Sequence, residues 1–125
     1  MKQCLIVDDS RIIRQVARHI LEDLEFVAEE SQDGIGAIEA CRNHLPDLVL
    51  LDANLPNVDM PALLRRLRTL SANGRPYVLI CTTENDPEMI AAAMEAGADE
   101  YILKPFDRTL MEDKLRDAGL MSDSS

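Results

Sequence analysis

Apolar residues fall into two alternating patterns along this chain. Short uninterrupted runs stand at "CLIV" (4–7), "LVLL" (48–51), "YVLIC" (77–81) and "YIL" (101–103). Runs of this length without alternation predict strands buried on both faces. A further run, "FVAEE" (26–30), turns polar and predicts an edge strand. Between the runs, apolar positions recur at helical spacing. Ile13, Val16, Ala17, Ile20 and Leu24 make one stripe, with Arg11, Arg14, Arg18 and Glu22 opposite. A second helix, 34–42, follows Asp33, a good N-cap. Leu63, Leu67 and Leu70 mark a third. Asp86 and Pro87 open a fourth that Gly97 stops, and Asp107 caps a last helix running toward Gly119. On the fourth helix, Ile90, Ala93, Met94 and Gly97 form the inward stripe and Glu88, Ala91, Ala92 and Glu95 the outer face.

Strand and helix therefore alternate five times. That order predicts an α/β fold: a five-stranded parallel sheet, helices on both faces, right-handed crossovers. With 125 residues the chain suits one domain, taken as residues 1–121, with 122–125 ("SDSS") as a disordered tail. Two Phe, two Tyr and no Trp leave the core to aliphatic and Met side chains. A net charge of −10 argues against nucleic acid as a partner. No run is long enough to span a membrane, and the first residues do not make a signal peptide, so a cytoplasmic protein is expected. Cys4, Cys41 and Cys81 lack metal-type spacing and sit in apolar stretches, so they read as small buried hydrophobes. His19 and His44 read as solvated or packed helix residues.

Ligands of open parallel sheets bind beyond the carboxyl ends of the strands. Asp8 and Asp9 follow the first strand, Asp52 the third, Thr82 and Thr83 the fourth, Lys104 and Pro105 the fifth. Gathered on one edge, three carboxylates would repel one another, and a divalent cation would relieve the repulsion. All-oxygen ligands without His or Cys suit Mg²⁺ rather than Zn²⁺. Metal, hydroxyl and ammonium together suit a phosphoryl group, and a carboxylate can accept one covalently. Asp52, mounted at the end of a fully apolar strand, is the expected nucleophile. Singly, these residues read as turns, caps or solvated charges; the pattern across four strand ends is far more specific.

"LIVDDS", "LVLLDANLP", "LICTTEND" and "EYILKPFD" resemble the receiver domain of two-component response regulators, of the single-domain chemotaxis (CheY-like) type, and the similarity extends from Gln3 to about Gly119. The resemblance implies a flavodoxin-like, doubly wound (βα)5 fold with strand order 2-1-3-4-5. It implies that Asp52 takes a phosphoryl group from a sensor histidine kinase or phosphotransfer protein. Asp9, Asp52 and the backbone carbonyl of Asn54 would ligate Mg²⁺, with Asp8 acting mainly through water. Lys104 would pair with the phosphoryl oxygens, and Thr82, with Thr83 beside it, would form the switch. Tyr101 would then swing inward, and the surface of the fourth helix, fifth strand and fifth helix would change its affinity for a target. Asn54 and Glu84 would tune hydrolysis, and Lys104–Pro105 would be a cis peptide that aims the lysine. Ala91, Ala92 and Glu95 belong to the expected partner face, and the arginines of the first helix read equally as a kinase-docking face or as a solvated helix face on which Arg18 and Glu22 pair one turn apart. One departure stands out: Met60 occupies a position where the family usually has Gly, with Pro61 next, so the loop before the third helix is expected to differ.

The protein expected from this reading is a monomeric phospho-accepting switch, not an enzyme acting on a separate substrate. Chemotaxis, with the flagellar motor as a target, is the leading role. A phosphate sink, a stress relay and a non-phosphorylated receiver acting as a binding module are the alternatives. A haloacid dehalogenase-like phosphatase is disfavoured, because that class needs a second Asp where Asn54 stands. A nucleotide-messenger binder is disfavoured by a tail without Arg beyond Arg116.

Overall fold

The computed structural model describes residues 1–83 and 85–121. Five strands alternate with five helices: β1 (Gln3–Val7), α1 (Arg11–Asp23), β2 (Val27–Ser31), α2 (Gly34–Asn43), β3 (Leu48–Asp52), α3 (Met60–Thr69), β4 (Tyr77–Thr82), α4 (Pro87–Ala96), β5 (Glu100–Leu103) and α5 (Arg108–Asp117). All strands pair in parallel, in the order β2-β1-β3-β4-β5. The polar strand β2 lies at an edge, where one row of backbone groups needs no partner.

The alternation of side chains divides the core in two. Leu5, Val7, Val49, Leu51, Val78 and Ile80 point to the face covered by α2, α3 and α4. Cys4, Ile6, Leu48, Leu50, Leu79 and Cys81 point to the face covered by α1 and α5. An apolar run without alternation is what a strand covered on both sides requires.

Aspartate caps four helices. Asp33, Asp59, Asp86 and Asp107 each accept a backbone N–H from the first turn that follows. Asp59 settles the departure at Met60. Its side chain accepts from Ala62, so Met60 is the first helical residue and its side chain enters the core. The left-handed residue of this loop is Asn57, at φ 57°, so no glycine is needed at position 60.

Two expected stripes are rotated. On α1 the buried set is Ala17, Ile20, Leu21 and Leu24, while Val16 is 47% exposed. A helix resting on a flat sheet buries the arc closest to it, and Leu21 lies closer to that arc than Val16. On α4, Ala93 and Ala96 face inward and Met94 is among the exposed hydrophobics. Small side chains let this helix approach the sheet.

Gly97 ends α4 at φ 130°. A Cβ there would stand 2.6 Å from Arg68 Cγ. Arg68 is a junction: its Nε donates to the Gly97 carbonyl at 2.7 Å, its Nη1 to the Pro76 carbonyl at 2.8 Å, and its Nη2 pairs with Asp99. Asp99 also accepts from Val78 N at 2.7 Å, which ties the end of α4 to the start of β4. Gly97→Ala is expected to cost about 2 kcal/mol, from the unfavourable φ and the displaced arginine, lowering the melting temperature by roughly 8 °C. Gly74→Ala is the control: φ is positive there too, but nothing lies within 4 Å of the added Cβ, so its loss should be smaller when both are melted by circular dichroism.

Candidate functional site

The carboxyl ends of β1, β3, β4 and β5 bring the sequence-selected residues to one edge. Asp52 is the last residue of β3 and is buried, as is Asp8, the residue after β1. Backbone donors hold both: Ser10 N lies 2.8 Å from Asp8 Oδ1, and Asn54 N lies 3.0 Å from Asp52 Oδ1. Asp9 is exposed. One oxygen from each of Asp8, Asp9 and Asp52 falls within 4.8 Å of the others. Among the described residues no His or Cys joins them in this cluster. Three hard oxygen donors of this kind fit a small divalent cation such as Mg²⁺ and are a poor set for zinc.

Lys104, just past β5, reaches across the sheet to the same point. Its Nζ is 2.9 Å from Asp8 Oδ2 and 3.3 Å from Asp52 Oδ1. Its backbone is fixed by a bond from Lys104 N to the Thr82 carbonyl at 2.8 Å, and the Lys104–Pro105 peptide is cis. Burial pushes the pKa of this ammonium down, but the Asp8 hydrogen bond and the Asp52 charge outweigh it and hold the pKa above the ordinary lysine value.

Thr82 is the last residue of β4 and is wholly buried, one place beyond Cys81, the register partner of Asp52. Thr83 is exposed. Tyr101 is half-buried on β5, packed against the α2–α3–α4 core, with Lys114 Nζ 5.1 Å from its ring centre. Asn54 is exposed in the turn after β3, and Glu84 lies outside the described residues, as does the 122–125 tail. Ala91, Ala92 and Glu95 are exposed on the outer face of α4. They lie on the helix that follows the Thr82–Thr83 segment.

All three cysteines are free and buried. Burial pushes the Cys4 thiol up to about 12 and the Cys41 thiol to about 11; it raises Cys81 as well. The thiols therefore stay protonated and offer no nucleophile or ligand at neutral pH.

Arg14 and Arg18 of α1 are engaged in ion pairs, including the Arg18–Glu22 pair that the helix-face reading of this stripe expects. Arg14 Nε lies 3.0 Å and Arg18 Nη1 2.7 Å from the two carboxylate oxygens of Glu30, on β2. Arg18 also meets Glu22 one turn on, at 3.3 Å. Arg11 alone of the three has no ion pair among the described residues. Instead α1 exposes apolar side chains, with Ile12 71% exposed. Val16 joins Ile13, Pro105 and Phe106 around a small apolar hollow of about 70 Å³ beside Lys104.

A doubly wound sheet with buried aspartates and a lysine clustered at its carboxyl edge defines a class of α/β domains with an acidic pocket. Residues 4–116 match the family model described as the response regulator receiver domain, and the chain belongs to that family. It is 34% identical over 116 residues to the chemotaxis protein CheY of Halobacterium salinarum, covering 93% of this chain and 95% of that protein. Among solved structures, chemotaxis protein CheY4 of Vibrio cholerae superposes with a TM-score of 0.86 at 29% identity, over 94% of this chain and 98% of that one. The receiver domain of sensor histidine kinase PA1611 from Pseudomonas aeruginosa superposes with a TM-score of 0.81 at 26% identity, over 93% and 95%. That structure has a magnesium ion coordinated in its active-site cleft.

Proposed function

We propose that this protein is a response regulator that accepts a phosphoryl group on Asp52 and uses it to change its affinity for a target protein. The observation that carries the reading is the convergence of Asp8, Asp9, Asp52 and Lys104 at one sheet edge, with Asp52 buried at a strand end. Asp8, Asp9 and Asp52 would hold Mg²⁺, with the Asn54 carbonyl as a further ligand, in keeping with the magnesium-bound relative. Bound there, Mg²⁺ would neutralise charge on the phosphoryl oxygens. A carboxylate oxygen of Asp52 attacks phosphorus. The bond from phosphorus to the histidine nitrogen of the donor breaks, and the imidazole leaves with that electron pair. Lys104 then moves its hydrogen bonds from the carboxylates to the transferred group. Thr82 hydrogen-bonds the same group, Tyr101 fills the space behind it, and Asn54 and Glu84 set access for hydrolytic water.

The donor would dock on α1, where Ile12 and Val16 with Phe106 offer apolar surface next to Lys104 and Arg11 supplies a charge. The target would read α4, β5 and α5. Chemotaxis is the favoured setting because the chain is 34% identical to a chemotaxis CheY over 95% of that protein and superposes on a chemotaxis CheY4 with a TM-score of 0.86. A non-phosphorylated binding module is disfavoured, since it would have no use for a complete acidic cluster with its lysine.

Incubation with acetyl phosphate tests the reading. One phosphoryl group should be found on Asp52 by mass spectrometry, only when Mg²⁺ is present; absence of labelling at saturating donor and Mg²⁺ would refute it. The output face is tested separately. Ala91→Glu or Ala92→Glu should weaken binding of the phosphorylated protein to its target about tenfold, some 1.4 kcal/mol, with labelling of Asp52 unchanged. Loss of labelling would remove these residues from the output face.

A further inference from the structure

Two of the three clustered carboxylates are held by their own hydrogen bonds, and the third is not. Asp8 takes Ser10 N and Lys104, and Asp52 takes Asn54 N and Lys104. The Asp9 carboxylate has no hydrogen bond or ion pair among the described residues and is exposed. Its place in the cluster must therefore come from its backbone, and first from the peptide that joins it to Asp8.

That peptide is gripped on its oxygen. Arg14 Nη1 donates to the Asp8 carbonyl at 2.7 Å, while on the other side of the residue Asp8 N donates to the Ser31 carbonyl at 3.1 Å. Fixing the carbonyl fixes the peptide plane. The plane fixes where Asp9 N and Cα sit, and so narrows the directions its side chain can take. The guanidinium is itself immobilised: its Nε lies on Glu30 Oε1 at 3.0 Å, and the other Glu30 oxygen is taken by Arg18 at 2.7 Å. Glu30 belongs to the sheet, in register with Ile6 of β1, one residue before the β1–β2 pair that ends at Val7 and Ser31. The Arg14 side chain is only 14% exposed. A planar fork that holds a carboxylate with one nitrogen and a carbonyl with another is a geometry that lysine cannot reproduce.

We infer that Arg14 is a positioning residue for cation binding: braced by Glu30, it orients the Asp8–Asp9 peptide so that the otherwise unsupported Asp9 carboxylate faces Asp52. This rests on the reading of the three carboxylates as the Mg²⁺ site. It also gives the polar end of β2 a purpose, since Glu30 is the anchor that ties the loop after β1 to the sheet edge.

Mg²⁺ binding to the full chain, followed by isothermal titration with the metal alone, provides the test. Arg14→Met should raise the dissociation constant on the order of tenfold, the usual effect of losing a residue that orients a ligand. Arg14→Lys should recover little of the loss. Glu30→Gln, which changes the brace and keeps the Arg14 side chain, should shift binding in the same direction by less. Acetyl phosphate labelling of Arg14→Met should need more Mg²⁺ and yet approach the wild-type rate at saturation, a split that a general loss of stability would not produce. Without metal, the amides of Asp9 and Ser10 should exchange with deuterium faster in Arg14→Met than in the wild type. An unchanged Mg²⁺ midpoint in Arg14→Met, with wild type binding normally, would overturn this inference alone. Failure of the wild-type protein to bind Mg²⁺ would overturn it together with the functional reading beneath it.

Discussion

Asp52→Asn will abolish labelling by acetyl phosphate and leave the metal-free fold no more than about 1 kcal/mol less stable than the wild type. The first half follows from chemistry. An amide oxygen is a poor nucleophile and cannot form the acyl phosphate, whereas the neighbouring Asp8 and Asp9 follow a different strand and are not placed to substitute. The second half follows from the charges. In the metal-free pocket Asp52 gains one attraction, to Lys104 at 3.3 Å, against two repulsions from carboxylates within 4.8 Å. It also bears the desolvation of a buried anion. The amide introduced by the substitution would still offer an oxygen to Asn54 N and to the ammonium, and Lys104 would keep its shorter bond to Asp8 at 2.9 Å. Stability should therefore stay within about 1 kcal/mol of wild type or rise above it. Chemical denaturation without Mg²⁺ decides the matter. A loss of about 2 kcal/mol or more would show that Asp52 is kept for the fold; residual labelling at another residue would show that the nucleophile has been misplaced.

The parts of this molecule that sequence reveals best are those set by local rules. An apolar run ending in one carboxylate marked β3 and Asp52, because a strand covered on both faces leaves no other place for a charge than its end. Capping chemistry marked α2, α4 and α5, since Asp33, Asp86 and Asp107 act on N–H groups two or three residues away. Where packing over distance decided, the pattern was ambiguous. Val16 and Leu21 both suit the stripe on α1, and only the sheet selects between them. Met60 looked like an obstacle because the left-handed residue had moved to Asn57. Arg14 and Arg68 were visible as charges but not as clamps. Each spans segments far apart in sequence and takes a backbone carbonyl as partner, and carbonyls carry no residue identity. For Arg14 the available signal was Arg14 and Arg18 one turn apart on one face with an unexplained acidic end to β2. For Arg68 no comparable local signal exists.

Lys104→Met will destabilise the metal-free protein by about 3–5 kcal/mol, the range for removing one partner of a buried ion pair. The size follows from what is left behind. Asp8 and Asp52 are both nearly inaccessible, at 4% and 5% exposure, and among the described residues Lys104 is the one cation paired with them. Without it, two adjacent carboxylates remain in a site that water barely reaches, with the Ser10 and Asn54 amides left to stabilise them. The pH dependence has a definite sign. The pKa of Lys104 is raised above the ordinary 10.5, so its stabilising effect is complete below the unfolded value and disappears as pH rises through the folded one. The deficit of the variant should accordingly be flat across the neutral range and shrink in strong alkali. Mg²⁺ should reverse it in part. A cation at a hundred times its dissociation constant adds about 2.7 kcal/mol to the folded state, and a pocket stripped of its ammonium should bind Mg²⁺ more tightly than wild type does. Urea titrations of Lys104→Met and wild type, with and without Mg²⁺, contain the whole test. A deficit below about 1 kcal/mol would place the pair with exposed salt bridges, and failure of Mg²⁺ to stabilise either protein would mean that the three carboxylates do not share a cation site.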